Sequence, residues 1–243
     1  QISQQQAQLE AMTWYEIGLT WFETGDTTKA LDCYTLGKRV LQQAQVPAGP
    51  AWARLHYEQS YVYWRQGDYD EARSNASVAL RLFTEALEQQ ASSREQLAPA
   101  TRISRTLSGD PVDLGRTYQL LGLIANCVGL SREALQYYQL ALTFFEPHDC
   151  LREIAIVCSN LGDLHLRRAD FEAAQAALQR SLLLVERIGD VPFSSVVLSN
   201  FGLLAARMGD LAAAEAYYKR GIALSEQGND PVSMCWLLVS LAT

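Results

Sequence analysis

Apolar residues recur along most of the chain at spacings of three and four, the period of an amphipathic helix, and the periodic stretches come in pairs. In the stretch WYEIGLTWFETGDTTKALDCYTLGKRVL, Trp14, Ile17 and Trp21 share one helical face, while Ala30, Leu31, Tyr34 and Leu41 share a face of a second helix. Gly25-Asp26 separates the two. The glycine accommodates a positive φ after the first helix, and the aspartate caps or turns into the second. Two short helices so joined are expected to pack as a hairpin.

The same punctuation returns. Gly25-Asp26 leads to Ala30, Gly67-Asp68 to Ala72, Gly129 to Ala134, Ala169-Asp170 to Ala174 and Gly209-Asp210 to Ala214, at intervals of 42, 62, 40 and 40 residues. Seven residues before each turn stands a small residue: Gly18, Ser60, Gly122, Gly162 and Gly202. Nine residues after it come Tyr34, Ala76, Tyr138, Leu178 and Tyr218, and twelve after it Gly37, Ala79, Ala141, Ser181 and Gly221. One helical pair is therefore used five times. Gly18 and Ala30 are read as the points where the backbones of a pair come close.

In this register the residues resemble the tetratricopeptide repeat family, whose pattern is W-x2-L-G-x2-Y followed by A-x3-F and a further small residue. The first repeat matches at Trp14, Ile17, Gly18, Trp21, Ala30, Tyr34 and Gly37; the third at Tyr118, Leu121, Gly122, Ala134, Tyr138 and Ala141; the fifth at Phe201, Gly202, Ala214, Tyr218 and Gly221. Ser60 replaces the usual glycine in the second, the terminal proline is missing, and the pitch is 40 to 42 residues instead of 34. The resemblance implies an all-α fold, a right-handed α-α superhelix of helical hairpins. It would form a single solenoid domain over residues 1–243, with five complete repeats near 11–50, 53–98, 115–150, 155–190 and 195–230.

The long interval places an insertion at 88–114: Glu85 to Leu97 can extend the second helix of repeat two, Pro99 stops it, and Ser104 to Asp113 reads as polar loop. A tolerated surface insertion is the plain reading; a docking loop using Arg102, Ile103 and Arg105 is the functional one. Residues 235–243 begin a sixth first helix that has no second. With Gln1 in place of a methionine, the expectation is a piece of a longer protein whose effector module lies elsewhere.

Composition narrows the function. A net charge of −7 argues against direct nucleic-acid binding and against an anionic membrane surface. No apolar run reaches the roughly 18 residues of a membrane span and no secretion signal opens the chain, so a cytoplasmic location is expected. Cys33, Cys127, Cys150, Cys158 and Cys235 form an odd set without C-x-x-C, and His56, His148 and His165 lack ligand spacing. No phosphate-binding glycine loop is present. Cys158 and His165 stand about two helical turns apart, too far to share a proton. No catalytic residue, metal or cofactor is expected. The repeating Tyr137, Tyr138, Tyr217 and Tyr218 read as packing.

In this family the first helix of each repeat lines a concave groove, and carrying those positions over selects Tyr15, Glu16, Leu19, Phe22 and Glu23 in repeat one. Repeat two adds Arg54, Tyr57, Glu58, Tyr61, Trp64 and Arg65, and repeat three Arg116, Gln119, Leu123 and Asn126. Repeat four adds Ser159, Asn160, Asp163 and Arg167, and repeat five Ser199, Asn200, Leu203 and Arg207. Five arginines line repeats two to five against Glu58 and Asp163, which makes the groove there locally positive; Asn160 and Asn200, 40 residues apart, are expected to form an amide ladder for an extended backbone, and Tyr57, Tyr61 and Trp64 are apolar anchors. The lysines and arginines of the family's chaperone-type carboxylate clamp are not matched. The expected function is binding of a protein or peptide, acidic where it meets the arginines, without catalysis. The linkers around residues 187–210 and 226–242 resemble long-pitch repeats of STAND-class signalling NTPases, large transcriptional activators and CHAT proteases, which implies a sensor or regulatory region. A constitutive assembly scaffold and a small-molecule or anion sensor built on Arg65, Arg116 and Tyr61 are the other readings.

Overall fold

The turns decide the architecture. In the computed structural model, which describes residues 3–93 and 109–228, Gly67 (φ +89°) and Gly209 (φ +84°) reverse the chain in the left-handed region, where a side chain would be strained. Repeat four uses Ala169 there instead, at φ +57°. Aspartates follow as caps: the side chains of Asp26, Asp170 and Asp210 accept from the backbone N–H of Lys29, Ala173 and Ala213 at 3.0, 3.4 and 2.9 Å.

Ten α-helices result among the described residues: α1 (Gln4–Glu23), α2 (Thr27–Gln43), α3 (Pro50–Gln66), α4 (Tyr69–Ser93), α5 (Pro111–Cys127), α6 (Ser131–Phe145), α7 (Leu151–Arg167), α8 (Phe171–Ile188), α9 (Val191–Arg207) and α10 (Leu211–Gln227). The odd-numbered helices are the first helices of the five repeats. Helix α4 continues past Glu85 to Ser93; the rest of the expected extension, to Leu97, lies outside the described residues. Arg102, Ile103 and Arg105 of the insertion, and the sixth-repeat segment 235–243, lie outside the described residues.

The chain divides into two compact units, Gln1–Leu130 and Ser131–Thr243. In the first, α1 packs on α2, α3 on α4, and α5 against α4. Its core joins Ala7, Ala11, Met12, Ala30, Tyr34, Leu41, Ala51 and Leu55. In the second, α7 packs on α8 and α9 on α10, around Ala155, Leu166, Leu178, Val185, Val197, Phe201 and Leu204.

Close approach within each hairpin rests on the small positions. A Cβ added at Gly202 would overlap the ring of Tyr218, one at Gly18 the ring of Tyr34, and one at Gly162 would sit 2.5 Å from Leu178 Cδ2. The aromatic or leucine of the second helix thus seats over the glycine of the first. Repeat two reverses the sizes, with Ser60 facing the register position of Ala76, both fully buried. Ser60 Oγ donates to Ala72 O at 2.7 Å, so the hydroxyl is satisfied locally. Ser181 behaves likewise, donating to Ala155 O at 2.7 Å.

One expected face is not a hairpin face. Ile17 and Trp21 are 38% and 37% exposed, whereas Leu121 and Phe201, at the register position of Ile17, are 3% and 7% exposed. Phe201 packs into the core that α9 shares with α7 and α8. No described helix precedes α1, so its copy stays at the surface, with Lys29 Nζ resting 4.1 Å over the Trp21 ring.

Candidate functional site

Along α3 the selected residues form a row in the first unit. Tyr61 stands between Phe22 of α1 (ring centroids 5.4 Å apart, edge-on) and Trp64 (5.3 Å), and the Arg65 guanidinium lies 5.4 Å above the Phe22 ring. Tyr57, Tyr61 and Trp64 are half-buried, and Arg65 is exposed. Trp64 Nε1 is buried without a hydrogen-bond partner among the described residues. A half-buried aromatic row presents an apolar face to a partner.

Beside this row Tyr15, Arg54, Tyr57, Glu58, Phe83, Asp113 and Arg116 line a cavity of about 30 Å³. Arg54 Nη2 donates to Asp113 Oδ2 at 2.9 Å, with both side chains largely shielded from water; Asp113 Oδ1 lies 4.0 Å from Arg116 Nη1. Tyr15 Oη donates to Glu58 Oε1 at 3.3 Å. Burial pushes the Glu58 carboxyl up to about 7, against the opposing pull of the Tyr15 hydroxyl and the Arg116 charge. Burial likewise raises Asp113 despite Arg54, and raises Tyr15, with Glu58 adding to the effect.

Asp113 was absent from the expected lining. It sits in the first turn of α5, three residues before Arg116, and reaches across to α3. The i,i+3 relation to Arg116 is visible in the sequence; the partnership with Arg54, 59 residues earlier, is not. The locally positive lining is reduced accordingly: Asp113 neutralises Arg54, and Asp163 accepts from Arg167 Nε at 3.0 Å.

In the second unit Asn160 on α7 and Asn200 on α9 do not form matching rungs. Asn200 Nδ2 donates to Ser159 Oγ at 3.0 Å, so that donor is spent inside the fold. Asn160 Nδ2 is buried and unpartnered among the described residues. Arg207 is exposed at the end of α9, and Asn126 is half-buried on α5 of the first unit. Tyr138 and Tyr218 are core residues, 0% and 5% exposed. Cys158 is buried, and that burial pushes its thiol up to about 11, away from the thiolate a nucleophile needs. Among the described residues no three of His, Cys, Asp and Glu gather as a metal set, and no helix is long and apolar enough to cross a membrane.

Two family models, both described as tetratricopeptide repeat, match residues 53–82 and 153–227. The matched helical pairs are tetratricopeptide repeats. Their turns and small-residue contacts are the ones described above, and the all-α hairpin fold is that of solved repeat proteins. BtubC from P. vanneervenii is similar at 20% identity and a TM-score of 0.71, over 92% of this chain and 83% of that one. A Rap conjugation gene regulator of the plasmid pLS20, solved with a Phr peptide, is similar at 17% identity and a TM-score of 0.68, over 89% of this chain and 53% of its own. The STAND protein of Pyrococcus horikoshii with a tetratricopeptide repeat sensor matches at 16% identity and 0.68, over 97% of this chain and 33% of that protein. Among curated proteins none matches.

Proposed function

We propose that these repeats form a regulatory binding module that recognises an extended peptide or protein segment and carries no catalysis of its own. The observation that carries the reading is the row Tyr57, Tyr61, Trp64 and Arg65 on α3: half-buried aromatic surface ending in an exposed guanidinium. In the second unit Asn160 supplies a backbone-binding amide, with Asn200, Arg167 and Arg207 flanking it, while Asn126 extends the lining in the first. Peptide capture by a Rap regulator of similar fold, and the sensor role of the repeats in the STAND protein, favour the same reading. With Arg54 and Arg167 already paired, acidic partner residues are expected at Arg65 and Arg207, and apolar ones at the tyrosines. The effector that reads out binding belongs to a further part of a larger bacterial signalling or transcriptional regulator in the cytoplasm.

Selection from a displayed peptide library tests this. Bound peptides should perturb Trp64 fluorescence, and Tyr61→Ala and Trp64→Ala should each weaken binding about tenfold or more, while Leu183→Ala on an exposed position of α8 leaves it unchanged. Failure of the library to yield any binder sensitive to Tyr61 or Trp64 would sink the proposal.

A further inference from the structure

The chain has three lysines, Lys29, Lys38 and Lys219, and they differ in what holds their ammonium groups. Lys29 Nζ lies 2.8 Å from Asp26 Oδ2 and Lys219 Nζ 2.6 Å from Glu215 Oε1; both side chains are more than half exposed, so water and a carboxylate keep each amine charged. Lys38 on α2 is placed otherwise. It is half-buried against α3, and its partner there is Gln59 Oε1, a neutral acceptor. Gln59 is 5% exposed, and its Nε2 donates to Thr35 Oγ1 at 3.3 Å, which turns the amide oxygen toward Lys38. Among the described residues no carboxylate pairs with Lys38. His56, one turn before Gln59 on α3, feels the positive charges of Lys38 and of Arg81 on α4, and Glu85 answers Arg81 at 3.1 Å.

A half-buried ammonium with only an amide oxygen beside it is held in its charged form less firmly than an exposed, paired one, and burial lowers Lys38 below the ordinary lysine value. The neutral amine is the nucleophilic form. We propose that Lys38 is a modification site that takes an acyl group from a small acyl phosphate. The Nζ lone pair attacks the acyl carbon and a C–N bond forms. The C–O bond to phosphate breaks, phosphate leaves with that electron pair, and the surplus amine proton passes to water. A small donor suits a half-buried amine, and its anionic phosphate is drawn to the positive charge at this corner. The product keeps one N–H to donate to Gln59 Oε1 and carries no charge, so the contact between α2 and α3 survives while the cost of shielding an ammonium disappears. The site stands independently of peptide capture, because it uses none of the aromatic row and requires no partner protein.

Acetyl phosphate is the probe, applied to the whole chain near neutral pH, with the occupancy of each lysine followed over time by peptide mass spectrometry. Lys38 should gain acetyl about tenfold faster than Lys29 or Lys219, although both of those are more exposed. Gln59→Glu sets a carboxylate against Lys38 on a side chain of nearly the same shape. It should slow acetylation of Lys38 about tenfold and leave Lys29 and Lys219 unchanged. Labelling of Lys38 no faster than that of the other two lysines, or a Lys38 rate indifferent to Gln59→Glu, would each overturn the proposal. The comparison among the three lysines of the native chain decides the matter even where the variant does not fold.

Discussion

The pairing of Gly202 with Tyr218 shows how single residues set the spacing of a hairpin. Even one methyl group on Gly202 meets the Tyr218 ring, and a ring packed between two helices cannot swing away as a side-chain tip can. Gly202→Ala should therefore cost about 1 to 3 kcal/mol, read from urea denaturation. Adding Tyr218→Ala should recover part of that loss, because repeat two is natively built with Ser60 and Ala76 at these positions. Strict additivity in this double-mutant cycle would show that the two do not share one contact. Ala169 offers the opposite case. It occupies a left-handed turn at φ +57° where the other repeats use glycine, and it is exposed. Ala169→Gly should raise stability by about 0.5 to 1 kcal/mol, the relief of backbone strain outweighing the added freedom of the unfolded chain. At this scale the sequence showed which positions must be small and which turns need glycine. It did not show that a change at position 60 is matched by a change at position 76, since that match exists only across two packed helices.

Whole helices differ by their neighbours more than by their own patterns. Ile17 and Phe201 occupy the same place in their repeats, but Phe201 is 7% exposed in the core of the second unit and Ile17 is 38% exposed on α1. Phe201→Ala should cost about 3 to 5 kcal/mol, whereas Ile17→Ala should cost less than about 1 kcal/mol. Comparable losses in both variants, measured by denaturant midpoints, would mean that the α1 face is covered in solution. The helical period marked both residues as apolar-face positions. Which of them is buried depends on whether another hairpin packs there, and no local pattern carries that information. The row Tyr57, Tyr61 and Trp64 was selected by another route: the resemblance to the repeat family implies which positions of a first helix line the groove.

For the molecule as a whole, charge placement matters more than net charge. Glu58 is far above the ordinary carboxylate range because it is buried, so the folded protein binds a proton there that the unfolded chain releases. Folded proton binding exceeds unfolded binding between about pH 4.5 and 7, and stability contributed by this group therefore falls as pH rises through that window, the full penalty being present above 7. Glu58→Gln should flatten the decline and stabilise the protein at pH 8 relative to wild type by up to about 3 kcal/mol, while differing little near pH 4. Denaturation series at the two pH values decide it, and an unchanged pH profile would remove Glu58 as its source.

The amino-acid sequence by itself determined the helical hairpins, their register and the small-residue positions, because these follow from periodicity and turn chemistry that act over a few residues. Its resemblance to the repeat family supplied the α3 row as an expectation. Tertiary structure alone decided which distant polar groups meet: Asp113 with Arg54, Ser159 with the Asn200 amide, and a buried Glu58 with Tyr15, whereas Asp163 and Arg167 stand one turn apart on a single helix. Three of these four contacts join residues about 40 or more positions apart, and burial, which fixes their energies, exists only once the helices have stacked.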